Sequence, residues 1–428
     1  MRDIAVYAIE AMIKAGADKA SCNITSGRKD EFNVEASKFS LLRTLFDDRL
    51  SLKVIKDNRK GTIVVNKLDK DSVDKAVEEC VTLATSAAQD EAEDIAPFVE
   101  NKNFSRLIGD ADMSKLFARS KELLEEVQDK YPQISLELST EFNGSKTVYL
   151  NSNGAEFHDE AEYYQVGTMF TAKEGEASSS FNYYSAMMDS LATPFIDLGM
   201  QRTLFEDSVK SIKTRMVDDK FVGKIIVAPS CDDMIWQTLA EYFLGNFVMI
   251  NGTSRWKDAL GTLVADKKLT MSASPLAPEM VAGERFTSDG FISQNADFIR
   301  EGVLTSFDLD LYGANKTGKP RALNTSYNVE VAAGDTPLAD MIKGIDKGIL
   351  LNRFSGAEPG ASGDISGVAK NSFLIENGRV TDAISETMVS FNILDILKNI
   401  PAISKERCAN GTTLLPWCCF DGVTVSGK

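Results

Sequence analysis

Histidine is the residue whose scarcity limits the chemistry of this sequence most. The chain has 428 residues and one histidine, His158. Zinc peptidases of the His-Glu-x-x-His and His-Glu-x-x-x-His types place two imidazoles on one helix face, so one histidine excludes both motifs. His158 follows an Asn-Gly turn in Glu156-Phe157-His158-Asp159, where we expect a half-exposed strand residue instead of a general base or metal ligand.

Cysteine is the next candidate for chemistry. Cys231 falls at the first turn of a predicted helix, whose N-terminus could lower the pKa of the thiol. Asp232 and Asp233 follow directly and disfavour a thiolate, so a buried and inert Cys231 is the favoured interpretation. The cysteines have neither the C-x-x-C spacing of a four-thiolate zinc site nor the density of a disulfide framework. They lie at positions 22, 80, 231, 408, 418 and 419.

Carboxylates and glycines supply the remaining candidates. Asp308, Asp310, Asp340 and Glu386 could bind a hard cation, but their spacing is not that of an EF-hand loop, and solvated carboxylates are favoured. The stretch 356–367 is rich in glycine, and such loops can direct backbone amides at phosphate. It lacks the lysine of G-x-x-x-x-G-K-[ST] and carries acidic residues, so we predict a turn or a close-packed loop.

The rest of the chain is predicted to be organised around one strand and one helix in its second half. An apolar run at 224–227 before Pro-Ser predicts a buried strand. Ser230 and Asp233 form an imperfect capping box, which predicts a helix beginning near Cys231, and Gly245 stands where a C-terminal cap belongs. The apolar stripe of this helix comprises Ile235, Leu239, Tyr242 and Phe243, widened by Trp236, Ala240 and Phe247.

Composition bounds the class of protein. The chain is 43% hydrophobic and 26% charged, which is typical of a globular protein with more than one domain. A net charge of −16 argues against nucleic-acid binding, which requires clustered lysine and arginine. No apolar stretch is long enough to span a membrane, and residues 1–20 predict an amphipathic helix instead of a secretion signal. We expect a reduced, cytoplasmic protein.

The pattern along the chain predicts an α+β fold with three domains. A first domain at 1–95 begins and ends with a helix, over 3–15 and 71–88. Between these helices, short strands at 21–25, 31–34, 41–45 and 50–55 are separated by turn-like Gly27-Arg28-Lys29 and Asp47-Asp48, and a further strand follows at 62–65.

A second domain at 105–218 combines helices with an antiparallel meander. The helices are predicted at 113–130 and 201–216. Asn143-Gly144 and Asn153-Gly154 each predict a hairpin turn, and Gly175 predicts another. The third domain, at 219–428, contains the central helix and is otherwise rich in strands, with further helices predicted at 340–347 and 393–400. The sequence thus predicts antiparallel sheets with packed helices and a β-rich C-terminal domain.

The order of local motifs resembles the TldD/PmbA family, also called modulators of DNA gyrase. The resemblance covers almost the whole chain. It rests on residues 15–18, 50–61, the helix after Asp71, 151–154, 251–254, 299–304, 377–380, 408–416 and 425–427.

The resemblance implies which residues occupy the site of the family's metal motif. In the TldD branch a helix bears His-Glu-x-x-x-His, with a C-terminal cysteine as a further zinc ligand, whereas the PmbA branch, also called TldE, lacks the histidines. Here the motif falls on 237–242, where Gln237 and Tyr242 replace the histidines and Thr238 replaces the glutamate. Cys408 stands near the ligand cysteine. The implied substrate-binding residues are Gln237, Thr238, Glu241, Tyr242 and Cys408, with no catalytic or metal-binding residue.

The resemblance also implies a function. It is that of a non-catalytic PmbA-like subunit, which pairs with a TldD-like subunit to enclose a chamber where unfolded peptides, such as a microcin leader or an antitoxin, are cleaved. No cofactor is expected on this chain, and zinc is expected only on the partner. Two alternatives stay open: a stand-alone homodimeric peptide-binding protein, and a hydrolase that uses Cys231 or carboxylate-bound metal. The run 286–290 departs from the family by a shorter acidic stretch before the glycine.

Overall fold

The computed structural model describes residues 1–231, 233–356, 359–360 and 362–427, and for Asp233 the backbone only. The predicted influence of Asp232 and of the Asp233 carboxylate on Cys231 lies outside the described residues. So do three positions of the glycine-rich stretch, Ala357, Glu358 and Ala361. Along the described part of the chain, none of the helices combines the length and apolar character that crossing a bilayer requires.

Eight α-helices lie in the described residues. They are α1 (Arg2–Lys14), α2 (Lys70–Ser86), α3 (Met113–Lys130), α4 (Gln201–Lys210), α5 (Asn246–Ile250), α6 (Leu311–Thr317), α7 (Leu338–Lys343) and α8 (Ile393–Ile396). Short 3₁₀ turns occur at Phe195–Asp197 and Pro229–Cys231, and π-helical turns at Asp233–Gln237 and Ala240–Leu244.

The first half of the chain forms an eight-stranded sheet with the order β3-β2-β1-β5-β6-β4, to which β7 and β8 add by pairing with β6. Its strands are β1 (Lys19–Glu35), β2 (Lys38–Lys56), β3 (Arg59–Val65), β4 (Lys102–Arg106), β5 (Ile134–Asn151), β6 (Glu156–Glu174), β7 (Ala177–Ser178) and β8 (Asn182–Met188). All pairs are antiparallel except β4 with β6.

Several predicted turns in this sheet are wrong. Gly27-Arg28-Lys29 lies inside β1 and pairs with β2 on one side and β5 on the other. Asp47-Asp48 lies inside β2, and Asn143-Gly144 lies inside β5. Hydrogen bonding to neighbouring strands keeps these polar and glycine residues extended against their local preference. The turns at Asn153-Gly154 and Gly175 are confirmed, with φ of +94° and +62° at the two glycines.

Two hydrophobic cores lie against this one sheet. Helices α1 and α2 pack on β1, β2 and β3 over a core that includes Met12, Ile24 and Cys80. Helices α3 and α4 cover β5, β6 and β8 around Leu123 and Phe205. Strands of the ranges 1–95 and 105–218 therefore share a sheet, while the division into domains at those boundaries remains a prediction.

The second half forms a mixed sheet of fourteen strands with the order β13-β12-β11-β14-β22-β10-β15-β18-β19-β9 and side branches through β16, β17, β20 and β21. Its strands are β9 (Thr214–Arg215), β10 (Phe221–Val227), β11 (Met271–Ala273), β12 (Ala296–Arg300), β13 (Val303–Leu304), β14 (Val329–Val331), β15 (Lys347–Leu351), β16 (Arg353–Gly356), β17 (Asp364–Lys370), β18 (Ser372–Glu376), β19 (Arg379–Ile384), β20 (Met388–Asn392), β21 (Ala402–Ala409) and β22 (Leu414–Ser426). The predicted α+β class with a β-rich C-terminal part is confirmed.

Three predicted helices are shorter than expected. Helix α4 ends at Lys210 instead of residue 216 because Thr214–Arg215 pairs with β19. Helix α7 ends at Lys343 because Lys347 already begins β15. Helix α8 ends at Ile396, four residues before the predicted end. In each case the helical spacing of apolar residues continues in the sequence beyond the end of the helix, because contacts with other elements change the direction of the backbone there.

Candidate functional site

The start of the central helix is fixed by the end of a neighbouring strand. Strand β10 is parallel to β15, and the Ala228 amide donates to the Leu351 carbonyl at 3.0 Å. The Ser230 hydroxyl donates to the Asn352 carbonyl at 2.9 Å, and the Asp233 side chain of the predicted capping box lies outside the described residues. The Asn352 amide in turn donates to the buried Asp207 carboxylate at 2.8 Å. These bonds anchor the helix entry to the adjoining core.

The helix that follows is wound largely as a π-helix, over Asp233–Gln237 and Ala240–Leu244. In an α-helix, residues five apart point roughly 140° away from each other. The i→i+5 hydrogen bonding of a π-helix brings them toward one face. Gln237 and Tyr242 stand five apart, and this winding lets both side chains reach the same cleft.

The helix ends at the predicted cap residue, Gly245, but in a different backbone conformation from a left-handed cap. Gly245 has φ −78° and ψ 166°, an extended conformation that leads directly into α5, so it is not a left-handed C-terminal cap. The Ser254 hydroxyl also caps this end of the helix, because it donates a hydrogen bond to the Phe243 carbonyl at 2.7 Å. The segment 251–254 thereby closes the end of the helix.

The apolar stripe of the helix is buried as predicted except at Tyr242, which is partly exposed, and at Phe247. Ile235, Leu239 and Phe243 are at most 1% exposed, and the Phe243 ring lies 5.4 Å from that of Trp256. Phe247, which was expected to widen the stripe, is 78% exposed. The extended backbone at Gly245 turns α5 out of line with the helix, and Phe247 therefore faces away from the core.

The exposed side of the helix forms one wall of an open cleft of about 340 Å³, here called the helix cleft. Its lining residues are Met234, Gln237, Thr238, Glu241, Tyr242, Phe354, Ser355, Gly356, Pro359 and Ile365. Four of the five residues predicted for the site, Gln237, Thr238, Glu241 and Tyr242, thus lie together. The Gln237 amide donates to the Glu241 carboxylate at 2.8 Å. Thr238 is 8% exposed.

The opposite wall of the helix cleft contains part of the glycine-rich stretch, and its packing accounts for two of the glycines. Gly356 on β16 pairs with Gly367 on β17. A Cβ on Gly356 would lie 2.4 Å from the Phe354 ring, and one on Gly367 would lie 2.5 Å from the Gly356 Cα. These two glycines let the strands approach while Phe354 packs over them. Among the described residues, this part of the stretch is close-packed instead of a phosphate-binding loop.

A second cavity, here called the side pocket, adjoins the helix cleft and has a volume of about 640 Å³. It is lined by Ala240, Glu241, Tyr242, Gly245, Asn246, Phe247, Val248, Thr253, Asp308, Tyr327, Pro359 and Gly360. Glu241, Tyr242 and Pro359 line both cavities. Residues 245–248, Asp308 and Tyr327 had no place in the predicted site, and the sequence pattern placed Phe247 on the buried stripe of the helix instead of in a pocket.

The four carboxylates considered as cation ligands do not converge. Burial, with Glu284 and Asp310 adding like charge, raises the pKa of Asp308 to about 6, and the residue is partly exposed where it lines the side pocket. Asp310 caps α6 by accepting from the Gly313 amide at 2.8 Å. Asp340 pairs with Lys343 at 2.9 Å. Within the described ranges, no three histidine, cysteine, aspartate or glutamate side chains are grouped to hold a metal.

The remaining candidates lie outside the helix cleft. Cys408, the fifth predicted residue, is not among its lining residues, and its sulfur lies 3.8 Å from the Tyr184 hydroxyl on β8. Burial raises the pKa of the Cys408 thiol. Cys231 is 1% exposed. His158 lies on β6 as expected, partly exposed, with its Nε2 2.7 Å from Glu156 Oε1.

The residues at the predicted motif positions do not fit a zinc site. Zinc in peptidases is held by imidazole, thiolate or carboxylate groups. Gln237, Thr238 and Tyr242 present a carboxamide, a nearly buried hydroxyl and a phenol, and the adjacent Glu241 carboxylate already accepts from Gln237. The cleft can bind a polar chain by hydrogen bonds, while its residues supply no imidazole or thiolate for zinc.

Comparisons with known proteins agree with this fold. The family model for the PmbA/TldA metallopeptidase C-terminal domain matches residues 223–427. Metalloprotease PmbA of Escherichia coli O157:H7 is 27% identical over 167 residues, 37% of each chain. The metalloprotease PmbA homolog of Haemophilus influenzae is 21% identical over 100% of this chain and 96% of its own.

Solved structures show the same architecture over the full length. TldE from Thermococcus kodakarensis superposes with a TM-score of 0.84 at 17% identity, covering 100% of both chains. A Bacteroides thetaiotaomicron protein described as a candidate modulator of DNA gyrase gives a TM-score of 0.89 at 22% identity, covering 100% of this chain and 99% of its own. At these identities the likeness establishes the fold.

Proposed function

Residues 223–427 match the family model for the PmbA/TldA metallopeptidase C-terminal domain, and from this premise we propose that the chain is a non-catalytic, PmbA-like subunit of a peptidase. The observation that supports the proposal is that the central helix lacks the metal ligands of the motif but still borders an open cleft. Gln237, Thr238 and Tyr242 stand at the positions of the metal motif, yet they still line an open cleft. A cleft that keeps its opening without its metal ligands is suited to holding peptide rather than cleaving it.

The chemistry of the helix cleft supports binding of an unfolded peptide. Gln237 and Glu241 offer hydrogen-bond donors and acceptors along one wall. Phe354 and Ile365 offer apolar surface on the other. An extended peptide presents both backbone amides and apolar side chains, so these walls complement it. Among the described residues that line the cleft, there is no histidine or cysteine to serve as an activated nucleophile or its base.

The proposed partner is a TldD-like catalytic subunit. In this proposal, the partner carries the zinc, and the two subunits enclose the chamber in which peptides such as a microcin leader or an antitoxin are processed. The likeness of the chain to PmbA proteins and to TldE supports this assignment. The chain itself then contributes the peptide-holding cleft and part of the chamber wall.

Co-purification from native cells tests the partner. The tagged chain should retain a TldD-like protein, identified by mass spectrometry, and the eluate should contain about one zinc per pair of chains. A metal-free homodimer that binds peptide would overturn the subunit proposal and favour a stand-alone peptide-binding protein. Peptide cleavage by the purified chain alone, abolished in Cys231→Ala, would instead establish a hydrolase.

Binding of a fluorescent unstructured peptide tests the cleft directly. Gln237→Trp places an indole in the cleft and should weaken binding, measured by anisotropy, at least tenfold. Gln128→Trp, at an exposed position of α3, is the matched control and should bind as the unmodified protein does. Equal binding by both variants would place the peptide elsewhere.

A further inference from the structure

The side pocket opens beside the helix cleft and has chemistry of its own. We propose that it is a subsite for a basic side chain, a lysine or arginine of the peptide held in the cleft. The inference rests on the proposed function in taking the helix cleft as the peptide site. Glu241, Tyr242 and Pro359 belong to both cavities, so a chain lying in the cleft passes the mouth of the pocket.

The walls of the side pocket suit the stem of a long side chain. Phe247 is 78% exposed and Tyr327 41% exposed, and Val248 lies deeper. Uncovered aromatic rings of this kind are a common binding surface for the methylene groups of lysine and arginine. The volume, about 640 Å³, is ample for one such side chain and its water.

The charge in the pocket is of one sign. The carboxylate of Asp308 makes no hydrogen bond or ion pair with the described residues, and Glu241 stands at the mouth. The charged groups that act on Asp308 are two further acids, Glu284 and Asp310. No lysine or arginine is among the described residues that line the pocket.

The Asp308 carboxylate differs from those of its acidic neighbours in having no hydrogen-bond or ion-pair partner among the described residues. Glu284 accepts hydrogen bonds from Ser293 and Thr325, and Asp310 accepts one from the Gly313 amide. A carboxylate removed from water without a partner costs free energy, and an incoming ammonium or guanidinium group removes that cost. The raised pKa of Asp308 agrees with this imbalance.

An organic cation fits the pocket better than a metal ion. A divalent metal requires several oxygen, nitrogen or sulfur ligands around one point. Within the described part of the chain no group of three such acidic, thiol or imidazole residues exists, at Asp308 or elsewhere. One carboxylate beneath apolar walls is instead the arrangement expected for the charged tip and apolar stem of a lysine or arginine.

A pair of peptides tests the subsite in the full-length protein. Two labelled, unstructured peptides that differ only in one central residue, lysine or norleucine, are compared by anisotropy at pH 7.5. We expect the lysine peptide to bind roughly tenfold tighter or more, since it gains a charge-assisted contact. Asp308→Asn should abolish that ratio, chiefly by weakening the binding of the lysine peptide. Asp219→Asn, at an exposed position outside the pocket, should preserve the ratio.

Butylguanidinium, measured by calorimetry, separates the two proposals. Equal affinity for both peptides in the unmodified protein would overturn the basic subsite and leave peptide binding intact. A third outcome is that neither peptide binds, whereas butylguanidinium binds and Asp308→Asn abolishes its binding. That result would overturn the peptide cleft and retain a cation site. Absence of all binding would overturn both. A thermal melt of Asp308→Asn confirms that the variant is folded.

Discussion

At the scale of single residues, Asp308 should make the protein less stable at neutral pH than in mild acid. Its pKa is raised to about 6 in the folded protein from an ordinary 3.8, so folding favours the protonated form. The loss of unfolding free energy that ionised Asp308 causes is absent below about pH 4. It grows as the pH rises between about 4 and 6 and is complete above that. We expect Asp308→Asn to gain roughly 1–3 kcal/mol of unfolding free energy at pH 8.

Urea unfolding at pH 8 and at pH 4 measures this difference. The gain of Asp308→Asn over the unmodified protein should disappear at pH 4, where both side chains are neutral. Asp219→Asn should show no gain at either pH. A stabilisation of Asp308→Asn that is the same at both values would mean that packing, not charge, is responsible.

The motif positions allow a second prediction. The triple variant Gln237→His, Thr238→Glu, Tyr242→His restores the family's metal motif on a helix whose winding brings 237 and 242 to one cleft. Zinc should bind weakly at best, because the groups that orient metal-bound imidazoles are missing and their absence costs roughly 10–100-fold in affinity. Calorimetric zinc titration checks this, with Gln237→His alone as control. Tight stoichiometric zinc would show that the old site is still pre-formed.

Residue identities at the site were predictable, whereas their surroundings were not. The resemblance to the TldD/PmbA family is confirmed, and it located Gln237, Thr238, Glu241 and Tyr242 by alignment to a motif. The environment of Asp308 depends on Gly245 and Glu284, which are distant in the chain and packed together only in the fold. Cys408 shows the same limit, since its contact with Tyr184 joins residues 224 positions apart.

At the scale of elements, the contact between β3 and α2 depends on Gly61. A Cβ at this position would lie 2.0 Å from the Cys80 carbonyl and 2.6 Å from the Ala84 amide nitrogen. Gly61→Ala should therefore push the helix off the strand and lower the unfolding free energy by roughly 1–3 kcal/mol. Chemical denaturation measures the change. Gly27→Ala is the control, because its Cβ would make only an ordinary 3.6 Å contact, and equal losses in both variants would contradict the close-approach argument.

Helices were predicted better than strands at this scale. Helix α3 begins and ends at the predicted residues, because its apolar spacing and its flanking Asp112 cap are local signals. The long strands β1, β2 and β5 were predicted as shorter pieces, since a glycine or an Asp-Asp pair in the middle of a strand resembles a turn until its neighbours on both sides are known. The π-winding of the central helix has no local signal of this kind.

At the scale of the whole molecule, the fragment 1–95 should not fold as a stable monomer. Strand β1 pairs with β5, whose residues 134–151 the fragment lacks, so residues 21–34 of β1 would present an open edge. We expect aggregation or a non-cooperative melt by circular dichroism and ultracentrifugation. The fragment 1–218 contains the complete first sheet and should melt cooperatively. A monomeric, cooperatively folding 1–95 fragment would establish the predicted first domain as an independent unit.

The overall class was predictable because it depends on the alternation of apolar residues summed over the chain. The joining of two predicted domains in one sheet was not predictable. The pairing of Ser21 with Asn151 produces no pattern in the sequence of either strand alone. The same applies to the fourteen-stranded sheet, whose order follows from pairings between segments far apart in sequence.

The position of β22 between β14 and β10 has a consequence for synthesis on the ribosome. The apolar strand Phe221–Val227 emerges about two hundred residues before Leu414–Ser426, the neighbour that pairs with it in antiparallel fashion. Until that segment is translated, one edge of the strand stays open, and an exposed apolar edge invites association with other nascent chains. The rate of translation between these two strands therefore sets how long that edge stays open.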